Sequence, residues 1–226
     1  MHNKLNVLSQ LKNLNNKLKQ SDNKNAPLLE MENLIDEYLK DNPCDADMLI
    51  KLALTVDTPP LADYIKAIEC LKKALKCEPD NVTALLVLAY TEFMNLGEMD
   101  EDVFQQLCAV QDLDPEIMSM VEYVKSWHYE RNKNFGNYEK SLLKSIELWD
   151  KHANNYKYLG LYYIDSGNIS EGKKLLRKAL ENITYVYPMK NSTREIYDVN
   201  EFLDEGIKGI HITQPNLETL HEYLEK

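Results

Sequence analysis

The chain has 226 residues, enough for one large domain or two small ones with a continuous core, and its 44% apolar and 28% charged side chains are ordinary for a globular protein. Seven Gly and eight Pro supply few of the tight turns that an all-β fold needs, so helix is the first expectation. The formal charge of −11 repels phosphate backbones and anionic headgroups, which argues against nucleic acid or a membrane as direct partner and for a basic protein partner.

The charge is unevenly spread. Residues 1–25 hold five lysines (Lys4, Lys12, Lys17, Lys19, Lys24) against Asp22 alone, and the rest of the chain is net −15. This end reads either as a helix of the first pair, Leu5 to Leu18, or as a partly disordered end. It has no uninterrupted apolar stretch of the secretory kind. The longest apolar run, Ala84 to Tyr90, is seven residues, far short of a membrane span. Cys44, Cys70, Cys77 and Cys108 form no CxxC pair and have no His at ligand spacing. Reduced thiols in a cytoplasmic protein are expected, with Cys70 and Cys77 two helical turns apart and beyond disulfide reach.

Helical periodicity then recurs along residues 26–186. Met31, Ile35 and Tyr38 mark one helix, ending near Pro43. Leu49, Leu52, Ala53 and Val56 face one way on the next, and Ala67, Leu71 and Ala74 on its partner, across a Thr58-Pro59-Pro60 turn. A third pair uses Leu85, Leu88 and Ala89, a turn at Gly97, then Val103, Leu107 and Val110. A fourth uses Val121 and Val124, a turn at Gly136, then Tyr138, Leu142 and Ser145. A fifth uses Tyr156, Leu159, Gly160 and Tyr163, a break at Gly167, then Gly172, Leu176 and Ala179. Residues 187–226 leave the pattern and suit a capping segment. Glu195 to Glu205 reads as a short helix, and a final helix follows Pro215 with Leu217, Leu220 and Leu224 inward.

The stops carry a period. Pro43, Pro79 and Pro115 stand 36 residues apart, Asp150 follows after 35 and Thr184 after 34. Asp100 or Glu101 reads as a helix start. Catalytic and metal-binding patterns are absent: no GxSxG, HExxH, phosphate-cradling glycine loop or spaced Cys/His set occurs. No enzyme, cofactor or metal is therefore expected. Trp127 and Trp149 are expected to pack in the core.

The segment ANNYKYLGLYYIDSGNISEGKKLLRKALENIT, Ala153 to Thr184, resembles the tetratricopeptide repeat: aromatic, Leu-Gly, Tyr, a turn Gly, a small residue, a bulky one, Ala. The resemblance implies an all-α fold, an α-solenoid of about five antiparallel helix pairs with a C-terminal capping helix. Periodicity alone gives stacked helical hairpins, and an α-solenoid of another type would read similarly. The family's groove positions map onto Thr83, Leu86, Tyr90 and Phe93 in the third pair, onto Glu122, Ser126, Tyr129 and Glu130 (beside Ser119) in the fourth, and onto Lys157, Leu161 and Asp165 (beside Asn154) in the fifth. Lys157 matches the lysine of a carboxylate clamp, but Leu161 stands where the clamp needs Asn, so that clamp is absent. The implied function is non-enzymatic binding of another protein. The phrase TPPLADYIKAIECLKKAL, with the acidic charge, resembles small acidic repeat proteins that confer immunity in bacterial toxin systems. This implies a basic cognate toxin as partner. A general scaffold or adaptor is the alternative.

Overall fold

The computed structural model describes residues 3–111, 113–186 and 217–225, and every regular element among them is an α-helix. They form two compact units, 3–103 and 104–186 with 217–225. The first holds α1 (Lys4–Gln20), α2 (Asn25–Asp41), α3 (Ala46–Asp57), α4 (Tyr64–Cys77) and α5 (Val82–Leu96). The boundary falls inside α6 (Glu101–Ala109). The second unit holds α7 (Pro115–Arg131), α8 (Phe135–Leu148), α9 (Ala153–Asp165), α10 (Ile169–Val186) and α11 (Leu217–Glu225). Within each unit, helices packed together are chiefly neighbours in sequence.

Local chemistry fixes where the helices begin. Side-chain oxygens of Asn3, Asp45, Asp63, Asn81, Asp114 and Asn134 each accept a backbone N–H from the first turn of α1, α3, α4, α5, α7 and α8. Asp100 does the same for Asp102 at the start of α6. Gly97 and Gly167 supply the left-handed backbone (φ 77° and 88°) that turns α5 and α9 back. Two expected breaks differ. Pro115 is the first residue of α7, where its missing N–H costs nothing, and Gly136 lies inside the first turn of α8. The expected stop at Thr184 is also passed, since α10 runs on to Val186.

In the first unit the basic N-terminal segment is helix α1, with Val7, Leu11, Leu14 and Leu18 buried along one face. Asp45 fixes its entry. Its carboxylate caps α3 at Met48 N (3.2 Å) and accepts from Lys4 Nζ on α1 (2.8 Å) and Tyr38 Oη on α2 (2.8 Å). Burial alone would raise the pKa of Asp45, but these three hydrogen bonds outweigh it and hold the pKa below the ordinary carboxylate value.

The expectation of four reduced thiols is corrected here. Cys44, after α2, and Cys77, at the end of α4, are joined in a disulfide with Cα atoms 5.4 Å apart and a sequence separation of 33. Spacing along the chain does not reveal the pairing, because it joins corresponding turns of successive helix pairs rather than residues on one helix. Such bonds persist in oxidising compartments rather than in a reducing cytoplasm. Cys70 stays a thiol whose burial pushes its pKa up to about 11.

The second unit is held by two close helix contacts. Between α7 and α8, Ser119 Oγ donates to the Ser145 carbonyl (2.8 Å) and Ser145 Oγ to the Ser119 carbonyl (2.5 Å). Asn155 Nδ2 of α9 donates to Ser145 Oγ (2.6 Å). Between α9 and α10, a Cβ on Gly172 would lie 2.6 Å from Ile164 Cγ1 and 2.7 Å from the Gly160 carbonyl oxygen. A Cβ on Gly160 would lie 2.8 Å from Leu176 Cδ2. Ala153, Tyr156, Leu176, Ala179 and Leu220 form the core there, with Tyr223 and Leu224 of α11 packed against it. The expected helix over Glu195 to Glu205 lies outside the described residues. Trp127 is buried, and Trp149 is half-buried at the end of α8.

Two outcomes test these packings. Gly172→Ala should cost about 1–3 kcal/mol, because the methyl meets backbone, whereas Gly136→Ala, with open space around its Cβ, should leave the melting temperature unchanged or slightly higher. Thermal unfolding of both variants decides; equal melting would disprove the close approach. The depressed pKa of Asp45 means that its contribution is present above the unfolded pKa and lost as pH falls through the folded one. Asp45→Asn, which keeps a capping oxygen, should lose about 1–2 kcal/mol at neutral pH, since the ion pair with the partly exposed Lys4 adds little beyond its hydrogen bond. Below pH 4 the difference from the parent should shrink, as denaturant melts at several pH values would record.

Candidate functional site

The positions that the repeat resemblance assigns to a binding groove have different fates in the two units. On α5, Leu86 and Tyr90 are buried (0% and 5% exposed) and Thr83 and Phe93 half-buried. The cause is in the sequence: α5 is apolar on nearly its whole circumference, and such a helix is enclosed rather than presented. Leu86 and Tyr90 thus offer little surface to a partner.

In the second unit, Ser126 is buried and donates to the Tyr123 carbonyl (2.6 Å), so it holds its own helix. Glu122 is half-buried and accepts from Lys125 Nζ (2.8 Å) and Ser141 Oγ (2.8 Å). Tyr129 is half-buried and edge-on to Phe104, centroids 5.3 Å apart, and its burial raises its pKa. Leu161 packs against the α9–α10–α11 core, and Asp165 is exposed at the end of α9.

Glu130 and Lys157 stand apart from the rest. Glu130 is an exposed residue near the end of α7, yet the packing around its carboxyl raises its pKa. Lys157 is half-buried on α9, and desolvation lowers its pKa. Its ammonium lies 4.6 Å from the centroid of the Tyr158 ring. Among the described residues no carboxylate pairs with Lys157 and no cation with Glu130. Lys157 is a half-buried cation and Glu130 an exposed carboxylate, and neither has an opposite charge paired with it among the described residues.

Several aromatic residues that the groove positions leave out lie on α8 and α9. Tyr138 of α8 and Tyr158 of α9 both have raised pKa values, caused first by burial and then by the Glu130 charge. Tyr138 meets Tyr162 edge-on at 5.6 Å, and Tyr162 stacks on the exposed ring of Phe135 at 6.1 Å. Tyr163 turns the other way and donates to Glu139 Oε1 (2.7 Å), the main reason its pKa is pushed up to about 12. The signal for this cluster is present in the sequence: Tyr158 and Tyr162 are four residues apart, and Phe135 and Tyr138 three apart, spacings that share a helix face. The second unit thus carries a run of tyrosine contacts between α8 and α9.

Among the described residues no group of three or more His, Cys, Asp or Glu could hold a metal ion, and no helix is long and apolar enough to cross a membrane.

No protein-family model matches the chain, and no curated protein matches it in sequence. Solved structures do match. A crystal structure of MamA is 22% identical, with 76% of this chain and 95% of that one covered and a TM-score of 0.57. A MamA fragment, residue 41 to the end, from Desulfovibrio magneticus RS-1 is 13% identical, with 82% and 98% covered and a TM-score of 0.55. PilW, described as a widely conserved type IV pilus biogenesis factor, is 14% identical, with 96% and 90% covered and a TM-score of 0.61. At these identities the likeness is one of fold, and the fold is an all-α, tetratricopeptide-like solenoid of helix pairs.

Proposed function

We propose that the chain is a non-enzymatic interaction module that binds a basic surface of another protein through an acidic face of its second unit. The observation that carries this reading is Glu130, an exposed carboxylate on α7 with no cation paired to it among the described residues. An acidic chain of net charge −11 adds long-range attraction for the same class of partner. Thr83, Phe93, Glu122, Tyr129, Lys157 and Asp165 remain candidate contact residues; Leu86, Tyr90 and Ser126 are less suited, being buried.

Within that class, the finer reading is an immunity protein that occludes a basic toxin. The alternative is a scaffold in a larger assembly, which the likeness to a pilus biogenesis factor suits. The disulfide Cys44–Cys77 favours a partner met in an oxidising compartment, which weighs against a nuclease neutralised in the cytoplasm. The test is co-expression with the product of each adjacent gene. The expected result is a complex with a basic protein whose affinity falls steeply between low and high salt. Rescue of growth from that protein's toxicity would select immunity, and binding without rescue the scaffold. Absence of any salt-sensitive complex with a basic protein overturns the proposal.

A further inference from the structure

The first unit keeps its buried polar groups satisfied and its buried thiol sealed. Glu92 on α5 is met by Lys72 Nζ (3.3 Å) and the Asp100 N–H (3.0 Å), and Cys70 lies inside the fold. The disulfide of the same unit is different, because Cys44 is exposed and Cys77 only half-buried. An exposed disulfide is open to attack by a thiolate and belongs with the labile bonds rather than the sealed structural ones.

We propose that the Cys44–Cys77 bond is a redox latch on the N-terminal helix. Closed, it holds the turn that fastens the first turn of α1. Reduced by a dithiol, it releases that end of the helix. The latch lies within the first unit and is independent of the acidic partner face assigned to the second.

The connection runs through one peptide bond. Cys44 precedes Asp45, whose carboxylate accepts from Lys4 Nζ of α1 (2.8 Å), Tyr38 Oη of α2 (2.8 Å) and Met48 N of α3 (3.2 Å). Lys4 Nζ also lies 3.3 Å from Asp47 Oδ2. Beyond these contacts α1 packs chiefly on α2, through Val7, Leu11, Leu14 and Leu18. Lys4 is therefore the side chain that ties its first turn to the start of α3.

At the other end of the bond, Cys77 closes α4, which packs on α3 and buries Ala67, Leu71 and Ala74 completely. The disulfide thus pins the exposed α2–α3 turn to a helix fixed by its own core face. Without it the turn keeps two local bonds, from the Asp45 N–H to the Asn42 carbonyl (3.2 Å) and from Asn42 Nδ2 to the Tyr38 carbonyl (3.1 Å). Both sit beside the exposed Pro43, and segments held this way open at low free energy. Opening moves the Asp45 carboxylate, and Lys4 loses its anchor.

Reduction needs nothing from the chain beyond the two sulfurs. One thiolate of the dithiol attacks the Cys44 sulfur, the S–S bond breaks, and Cys77 leaves as a thiolate that takes up a proton. The second thiol of the reductant then attacks the mixed disulfide, forms its own disulfide and releases Cys44 as a thiol. Two electrons enter the chain and the dithiol is oxidised.

The probe is dithiothreitol, added to the full chain, with amide hydrogen exchange read along the sequence by mass spectrometry. Thiol titration of the denatured chain should find only Cys70 and Cys108 before reduction and all four cysteines after it. On reduction, amides in the first half of α1 should exchange about fivefold faster, as expected for the loss of one net hydrogen bond, while those of α9 and α10 stay unchanged. Cys44→Ser should exchange like the reduced chain with or without dithiothreitol, and Cys108→Ser should respond like the parent. Asp45→Asn should show fast α1 exchange before reduction and little further change after it, because the latch acts through that carboxylate. A disulfide that merely stabilises the fold would not lose its effect on α1 in that variant. Four thiols in the unreduced chain, α1 exchange indifferent to reduction, a rise of equal size in both units, or a full response in Asp45→Asn would each overturn the latch.

Discussion

Two antiparallel helices present more apolar surface than one can hide against the other, so each pair must pass part of its apolar face to the next. That constraint governs both compact units. In the second, α9 is gripped by α10 through Gly160 and Gly172, and Leu220 of α11 then closes the exposed side of the same core. Burial of a leucine of this kind contributes about 1.5–3 kcal/mol, but only while the next helix is in place. A repeat array therefore gains stability at its interfaces, and its ends need special treatment. The chain meets that need with an amphipathic α1, carrying lysines outside and Val7, Leu11, Leu14 and Leu18 inside.

Where small apolar residues do not bring helices together, polar ones do. The reciprocal bonds of Ser119 and Ser145 let α7 and α8 approach as glycines do elsewhere, and they satisfy the hydroxyls at the same time. Asp45 applies similar economy in the first unit, since one carboxylate serves α1, α2 and α3. Against these satisfied groups, Glu130 and Lys157 are conspicuous for lacking an opposite charge within the described residues.

Much of the fold was legible because its punctuation is chemical. Capping residues, turn glycines and prolines recur with the helix period, and each acts within a few residues of itself. The misreadings share a different cause. Pro115 and Gly136 are ambiguous punctuation, since proline both follows helices and opens them, and glycine is tolerated in a first turn. Cys44 and Cys77 come together only through stacking of successive pairs, which spacing along one helix cannot reveal. The groove residues are harder still. Leu86 and Tyr90 occupy positions that line a groove in other repeats, yet exposure depends on what packs opposite them. Phe135 with Tyr138 and Tyr158 with Tyr162 were readable as i, i+3 and i, i+4 pairs, but the meeting of Tyr138 and Tyr162 across two helices was not.

The disulfide also changes how the chain would respond to force. It closes a covalent ring that contains α3 and α4, so 33 residues of contour are removed from the path between the two ends. At about 3.4 Å per extended residue, that is roughly 110 Å of length that pulling cannot release. A protease cut at the Thr58–Ala62 turn, inside the ring, would leave both fragments attached. In a setting where partners pull on one another, this hairpin is the stretch of the chain that tension cannot unravel.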